Sequence, residues 1–279
     1  MFQYEFVIKG LLGAVFASIT AGLAGTYIVS RRMVFLSGGI THASFGGIGI
    51  GYFAGINPVV GAAVFSIISA LGVEYLSVRQ KIREDSAIGI LWAFGMATGI
   101  IFIYLTPGYS PNLLSYLFGS ILTVTYGDLI ALGIMSVILI LYFGFFYRTI
   151  LYISFDEVFA RTYSKYVNIF KYITTSLIAL TIVLNIRMAG VVLVISLLTI
   201  PPNIAMLVSR NYVRIVLLSV VAGFIGTAAG YTISYFAGIP VGATIIFTLV
   251  ILWGIVKILL RFSVRIRSKS LYTKIHTVA

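Results

Sequence analysis

The chain has 279 residues, of which 60% are hydrophobic and only 9% charged, with a net charge of +12 and a mean hydropathy of +1.10. A soluble domain is about a quarter charged, so this balance excludes one and describes an integral membrane protein. The absence of cysteine removes disulfides, iron–sulfur clusters and thiolate metal sites.

In chain order, "MFQYEF" opens with acidic Glu5 rather than the basic start of a cleaved signal, so residues 10–30 read as a retained first span. Residues 33–73, 86–127 and 129–147 are likewise free of Asp, Glu, Lys and Arg. A crossing takes about 20 mostly apolar residues, so these runs hold one or two spans each. The predicted fold is an all-α polytopic bundle of about 8–9 transmembrane helices. Gly, Pro and Ser interrupt residues 107–127 and 188–208, where broken or re-entrant segments are expected. One transmembrane domain thus covers residues 1–262, with a cytoplasmic coupling loop at 148–171 and a basic cytoplasmic tail at 263–279.

The breaks between runs alternate in charge. Residues 31–32, 78–85, 148–171 and 209–214 and the tail are rich in Lys and Arg, whereas 54–58, 106–112 and 236–240 carry no charge. Basic loops collect in the cytoplasm, which puts the C-terminus inside and the N-terminus outside, with Arg187 an exception on an outer turn. The net charge then belongs to loops facing anionic lipid, and its scatter over separate loops argues against nucleic acid.

Within "SGGITHASFGGIGIGYF" (residues 37–53), Gly38, His42, Gly46 and Gly49 share a helical stripe beside Ser37, Thr41 and Ser44. Small residues on a stripe permit close helix packing, and an ionisable ring inside the membrane marks a functional site or a hydrogen-bonded packing residue. Further on, Phe155, Val158 and Phe159 form the apolar stripe of a short amphipathic helix over residues 154–164, with Asp156, Glu157 and Arg161 off it. "TIPPN" places Pro201, Pro202 and Asn203 inside an apolar run, which predicts a kinked or broken helix beside a pathway. Glu74, Glu84 and Asp85 read as structural partners of nearby basic residues, and Trp92 and Trp253 as packing or interface anchors.

"RRMVFLSGGITHASFGGIGIGYFAG" resembles the second-helix signature of the permease subunits of bacterial metal-uptake ABC transporters of the zinc, manganese and iron type. "REDSAIGILWAFGMATGI", "LLSYLFGSILTVTYGDL", "SFDEVFARTYS" and "AGVVLVISLLTIPPNIAMLVS" match further segments in family order, so the likeness spans roughly residues 10–260. It departs at three places. The family's second-helix motif usually carries Asp four residues before the histidine, where this chain has Gly38. The family's cytoplasmic loop ends Ala-xxx-Gly, here Ala160 to Ser164, and its Pro-Ala-Ala is Pro201-Pro202-Asn203.

The resemblance implies a permease of the bacterial plasma membrane, a homodimer working with cytoplasmic ABC ATPase subunits and an extracytoplasmic metal-binding protein. It assigns Phe155, Asp156, Glu157, Phe159, Ala160 and Ser164 to ATPase coupling, and His42, lined by Ser37, Thr41 and Ser44, to transient contact with the metal. The metal is substrate, and no tightly bound cofactor is expected. Imidazole without carboxylate favours zinc over manganese. The chain lacks GxxxxGK[ST] and HExxH, so it is not expected to be an enzyme and ATP hydrolysis falls to a partner. The rivals are an ion-coupled secondary transporter, which would want carboxylates at mid-membrane, and a membrane scaffold or enzyme.

Overall fold

Backbone groups in a bilayer must be satisfied within their own segment, so apolar runs of this length fold as helices. The computed structural model describes residues 5–107 and 124–276. Its helices are α1 (Glu5–Ser30), α2 (Val34–Phe53), α3 (Pro58–Val78), α4 (Glu84–Leu105), α5 (Tyr126–Phe145), α6 (Tyr147–Phe155), α7 (Glu157–Tyr163), α8 (Val167–Ala189), α9 (Val191–Val208), α10 (Tyr212–Ala237) and α11 (Val241–His276). The all-α polytopic bundle stands. The uncharged loop expected at 106–112 and most of the interrupted segment after it fall outside the described residues.

Local chemistry sets the boundaries. Asn57 caps α3 by accepting from the Val59 N–H at 2.9 Å, with Pro58 in the first turn where its missing donor costs nothing. Thr125 and Asp128 form a reciprocal capping box at the start of α5. Gly190, at φ 77°, turns the chain between α8 and α9 with one residue, a conformation open to glycine. The apolar part of α11 is Val241–Phe262, and the helix runs on without a break through the basic segment to His276.

Among the described residues, eight helices are long and apolar enough to cross a membrane, and α2 is not one of them. Its glycines, hydroxyls and histidine lower its hydropathy, which would be costly on a lipid-facing helix. The fold explains the exception, because fourteen of its twenty residues are buried among α3, α4, α8 and α9. The eight candidate spans fall within the expected 8–9, and α2 is an inner helix beside them.

Charges sort to the two ends of the bundle. At the uncharged-loop end Arg187 pairs with Asp128, Nη1 to Oδ1 2.9 Å, so the exceptional arginine is neutralised by the residue that caps α5. The expected break at "TIPPN" is absent: α9 is continuous, with Pro201 and Pro202 inside it. Carbonyls released by proline need neighbours, and α1 supplies one by backbone contact. A Cβ added at Gly25 would lie 2.4 Å from the Leu198 carbonyl oxygen. Both prolines are buried, Pro201 beside Gly223 of α10.

Candidate metal pathway and coupling element

His42 sits in the middle of α2, on the side facing α4, because glycines clear the surface around it. Cβ atoms added at Gly46 and Gly49 would lie 3.0 and 2.4 Å from the carbonyl oxygens of Gly95 and Gly99 on α4. The two backbones therefore touch, and the ring settles on the neighbouring helix. It stacks face to face on Trp92, centroids 4.4 Å apart and planes within 5°, with Phe45 at 6.4 Å on its own helix. The ring is half-buried, and its Nδ1 is buried without a hydrogen-bond partner, which leaves Nε2 as the nitrogen on offer. Gly38, one turn earlier, looks toward the same Trp92 and toward Ile195 of α9, at 3.7 and 3.9 Å from where its Cβ would be.

The hydroxyls beside it are turned inward. Ser37, Thr41 and Ser44 are fully buried and donate to carbonyls of their own helix: Ser37 to Val34 at 2.7 Å, Thr41 to Ser37, and Ser44 to Thr41 at 2.6 Å. They satisfy themselves inside the packed core, and His42 is the polar group of α2 with an open edge. On α9, Ser196 and Thr199 are half-buried and Asn203 is exposed. Asn203 donates to the Thr199 carbonyl at 2.7 Å, so its polarity lies on an unbroken helix. Among the described residues no group of three or more His, Cys, Asp or Glu is placed to hold a metal. Among the described residues, this geometry offers one imidazole nitrogen.

At the basic end, the expected single helix over 154–164 is two pieces. Phe155 closes α6, and Asp156 turns the chain and caps α7 by accepting from the Phe159 N–H at 3.0 Å. Asp156 is therefore a structural cap. Ser164 ends α7, its hydroxyl accepting from the Tyr166 N–H at 3.2 Å. Ala160 is the one buried residue of α7, while Phe155, Val158 and Phe159 stay 62%, 78% and 51% exposed. Glu157 turns the other way, into the bundle, with Oε1 2.7 Å from Arg161 and Oε2 3.0 Å from Lys171 and 3.5 Å from Arg31. Burial pushes its carboxyl up, but the charges of Lys171, Arg161 and Arg31 outweigh that and hold it below the usual carboxylate range.

Residues 3–260 match the family described as ABC 3 transport family. The chain belongs to that family. Within it, an uncharacterized membrane protein of Synechocystis sp. is 40% identical over 244 residues, 88% of this chain and 87% of the other. A Listeria monocytogenes protein named manganese transport system membrane protein is 31% identical over 91% of both chains. Among solved structures, PsaBC from Streptococcus pneumoniae in complex with Fab superposes with a TM-score of 0.80 at 28% identity, covering 91% of both chains. The likeness to metal-uptake ABC permeases that the motifs carried is thereby borne out.

Two participants escaped the sequence reading of this ABC 3 family member. Trp92 was assigned to packing or interface anchoring, although it covers the face of the His42 ring. Lys171 was counted with the basic loop, yet its side chain is 6% exposed. Its apolar neighbours Ile169, Phe170, Tyr172 and Ile173 were the available signal, since a lysine set in such a run has to find a buried partner.

Proposed function

We propose that the chain is the permease of an ATP-driven importer that passes a divalent transition-metal ion through the plasma membrane by way of His42. The observation that carries this is the geometry of His42: a half-open imidazole, fixed on Trp92, in the inner helix α2, with no cluster of further ligands among the described residues. A permeation path must bind weakly enough to release, and a single nitrogen meets that need where a four-ligand site would not. Trp92 holds the ring plane, so the nitrogen has one direction in which to meet the ion.

The acidic residues argue against ion-coupled transport. All seven, Glu5, Glu74, Glu84, Asp85, Asp128, Asp156 and Glu157, lie in the terminal turns of helices or at their caps, and none stands at mid-membrane, where coupling carboxylates belong. Energy then has to come from outside the chain. The exposed Phe155, Val158 and Phe159 suit a helix-in-groove contact with a cytoplasmic ATPase subunit, which makes the basic end, the C-terminus included, cytoplasmic. A second copy of the chain and an extracytoplasmic metal-binding protein complete the assembly in this reading.

Two metals have separate support. A lone imidazole favours zinc over manganese by ligand chemistry, whereas the Listeria relative is named for manganese transport. Radiolabelled zinc and manganese uptake into vesicles bearing the assembled transporter distinguishes them. His42→Gln keeps a hydrogen-bonding side chain and should assemble with the ATPase but lose uptake of the preferred ion. Uptake at the wild-type rate by His42→Gln would make the histidine a packing residue and end the proposal.

A further inference from the structure

The charged groups behind α7 form a closed circuit that a structural role alone does not account for. Glu74 of α3 is buried, its side chain 1% exposed. It accepts from Thr175 at 2.9 Å, and lies 3.2 Å from Lys171 of α8 and 3.7 Å from Arg31 at the α1–α2 junction. The same two cations meet Glu157 of α7, at 3.0 and 3.5 Å. Arg31 is also held by the Tyr27 hydroxyl, which accepts from its Nη1 at 3.1 Å. Each cation thus has one carboxylate in the fixed bundle and one on the short helix.

Charge balance gives this arrangement a consequence. Were α7 to move away alone, Arg31 and Lys171, 10% and 6% exposed, would be left with Glu74 and, at longer range, the half-buried Glu84 at the start of α4. An uncompensated buried charge is strongly unfavourable. Apolar packing holds α7 lightly: Ala160 is its one buried residue, and Phe159 and Tyr163 make edge contacts with Tyr152 of the preceding α6. The ion pairs are its charged attachment to the bundle, so the cations must follow Glu157 or stop it. Arg31 is three residues from the start of α2, next to Arg32 with its φ of 59°. His42 lies eleven residues further on, about 16 Å along a helix at 1.5 Å per residue.

We propose that Arg31, Glu74, Glu157 and Lys171 are the linkage that passes displacement of α7 into the inner end of α2, with Glu157 as a positioning residue acting through Arg31. This rests on the reading of α7 as the ATPase-docking element. It reassigns Glu157, which faces the permease and not the partner.

The test uses the complete transporter in vesicles and measures metal delivered per ATP hydrolysed, together with ATPase recovered on purification. Glu157→Gln leaves Arg31 and Lys171 on Glu74, and should lower metal per ATP about tenfold while hydrolysis continues. The paired variant Glu74→Gln with Arg31→Met removes two opposite charges together, including the cation that joins Glu157 to the α1–α2 junction, and leaves Lys171 on Glu157. It should retain the ATPase and show a similar fall. Arg31→Lys, which keeps the charge, should restore most of the wild-type ratio. A merely structural role would lower expression, hydrolysis and uptake in proportion, and an unchanged ratio in the paired variant would overturn the linkage, even if Glu157→Gln sheds the ATPase. Failure of the ATPase to copurify with the wild-type chain would overturn the docking reading itself, and the linkage with it.

Discussion

Gly47→Ala tests whether the inner helix is held by backbone contact. The added Cβ would fall 2.1 Å from the Gly61 carbonyl oxygen, 2.4 Å from its carbon and 2.7 Å from the Ala62 Cα, all backbone atoms of α3. No side chain can swing away, so α2 and α3 must part by about 1 Å to reach ordinary contact, and inserting a carbon into a packed interior costs roughly 1–3 kcal/mol. The escape route is closed on the opposite side. A Cβ at Gly95 of α4 would lie 2.5 Å from Ala43 Cα, and one at Gly99 would lie 2.5 Å from the Phe45 oxygen. A helix pinned on both faces should cost the upper end of that range, about 3 kcal/mol, a loss of about a hundredfold in the folded-to-unfolded ratio. Thermal loss of the monodisperse peak in detergent, read by size exclusion, is the assay. Gly89→Ala is the control, since nothing lies within 4 Å of its added Cβ and alanine favours a helix. Gly47→Ala with a midpoint equal to that of Gly89→Ala would refute the close-packing argument.

Three further outcomes are expected. Phe155→Asp with Phe159→Asp, both on exposed rings, should abolish copurification of the ATPase and leave the permease monodisperse; normal metal-stimulated uptake would remove α7 from the docking role. In this cysteine-free chain, single cysteines at positions 56 and 82 should label with impermeant reagents from opposite sides, 56 from outside intact cells and 82 only after lysis; the reverse would invert the orientation. Gly38→Asp would place a carboxylate one turn before His42, where a Cβ meets only ordinary contacts at 3.7 Å or more. It should increase metal retention and slow release, and unchanged retention would show that position 38 does not share the path with His42.

What could be read in advance divides along physical lines. Apolar run lengths and the alternation of loop charge are local and additive, so the all-α architecture and the spans were legible. The two prolines of α9 were read by a rule for isolated helices. That rule had no means of knowing that Gly25 brings α1 against the Leu198 carbonyl, so a continuous helix was expected to break. The stripe on α2 was read correctly as small and close-packed. Yet period alone could not decide that Ser37, Thr41 and Ser44 turn into the core while His42 meets Trp92, because that choice belongs to the neighbours.

The charge circuit lay furthest from reach. Its four members come from residues 31, 74, 157 and 171, and no spacing rule brings such distant positions together. Only the assembled bundle shows Glu74 and Lys171 excluded from water, and that exclusion is what gives the circuit its stiffness. A solvated pair contributes at most about 1 kcal/mol and lets go easily, whereas a buried one resists separation because the charge left behind has no water to return to. The sequence carries the charges, and burial decides whether they act as a surface ornament or a mechanical joint. If α7 is the docking helix and α2 carries the ligand, these ion pairs are the contacts that join the short helix to the start of α2.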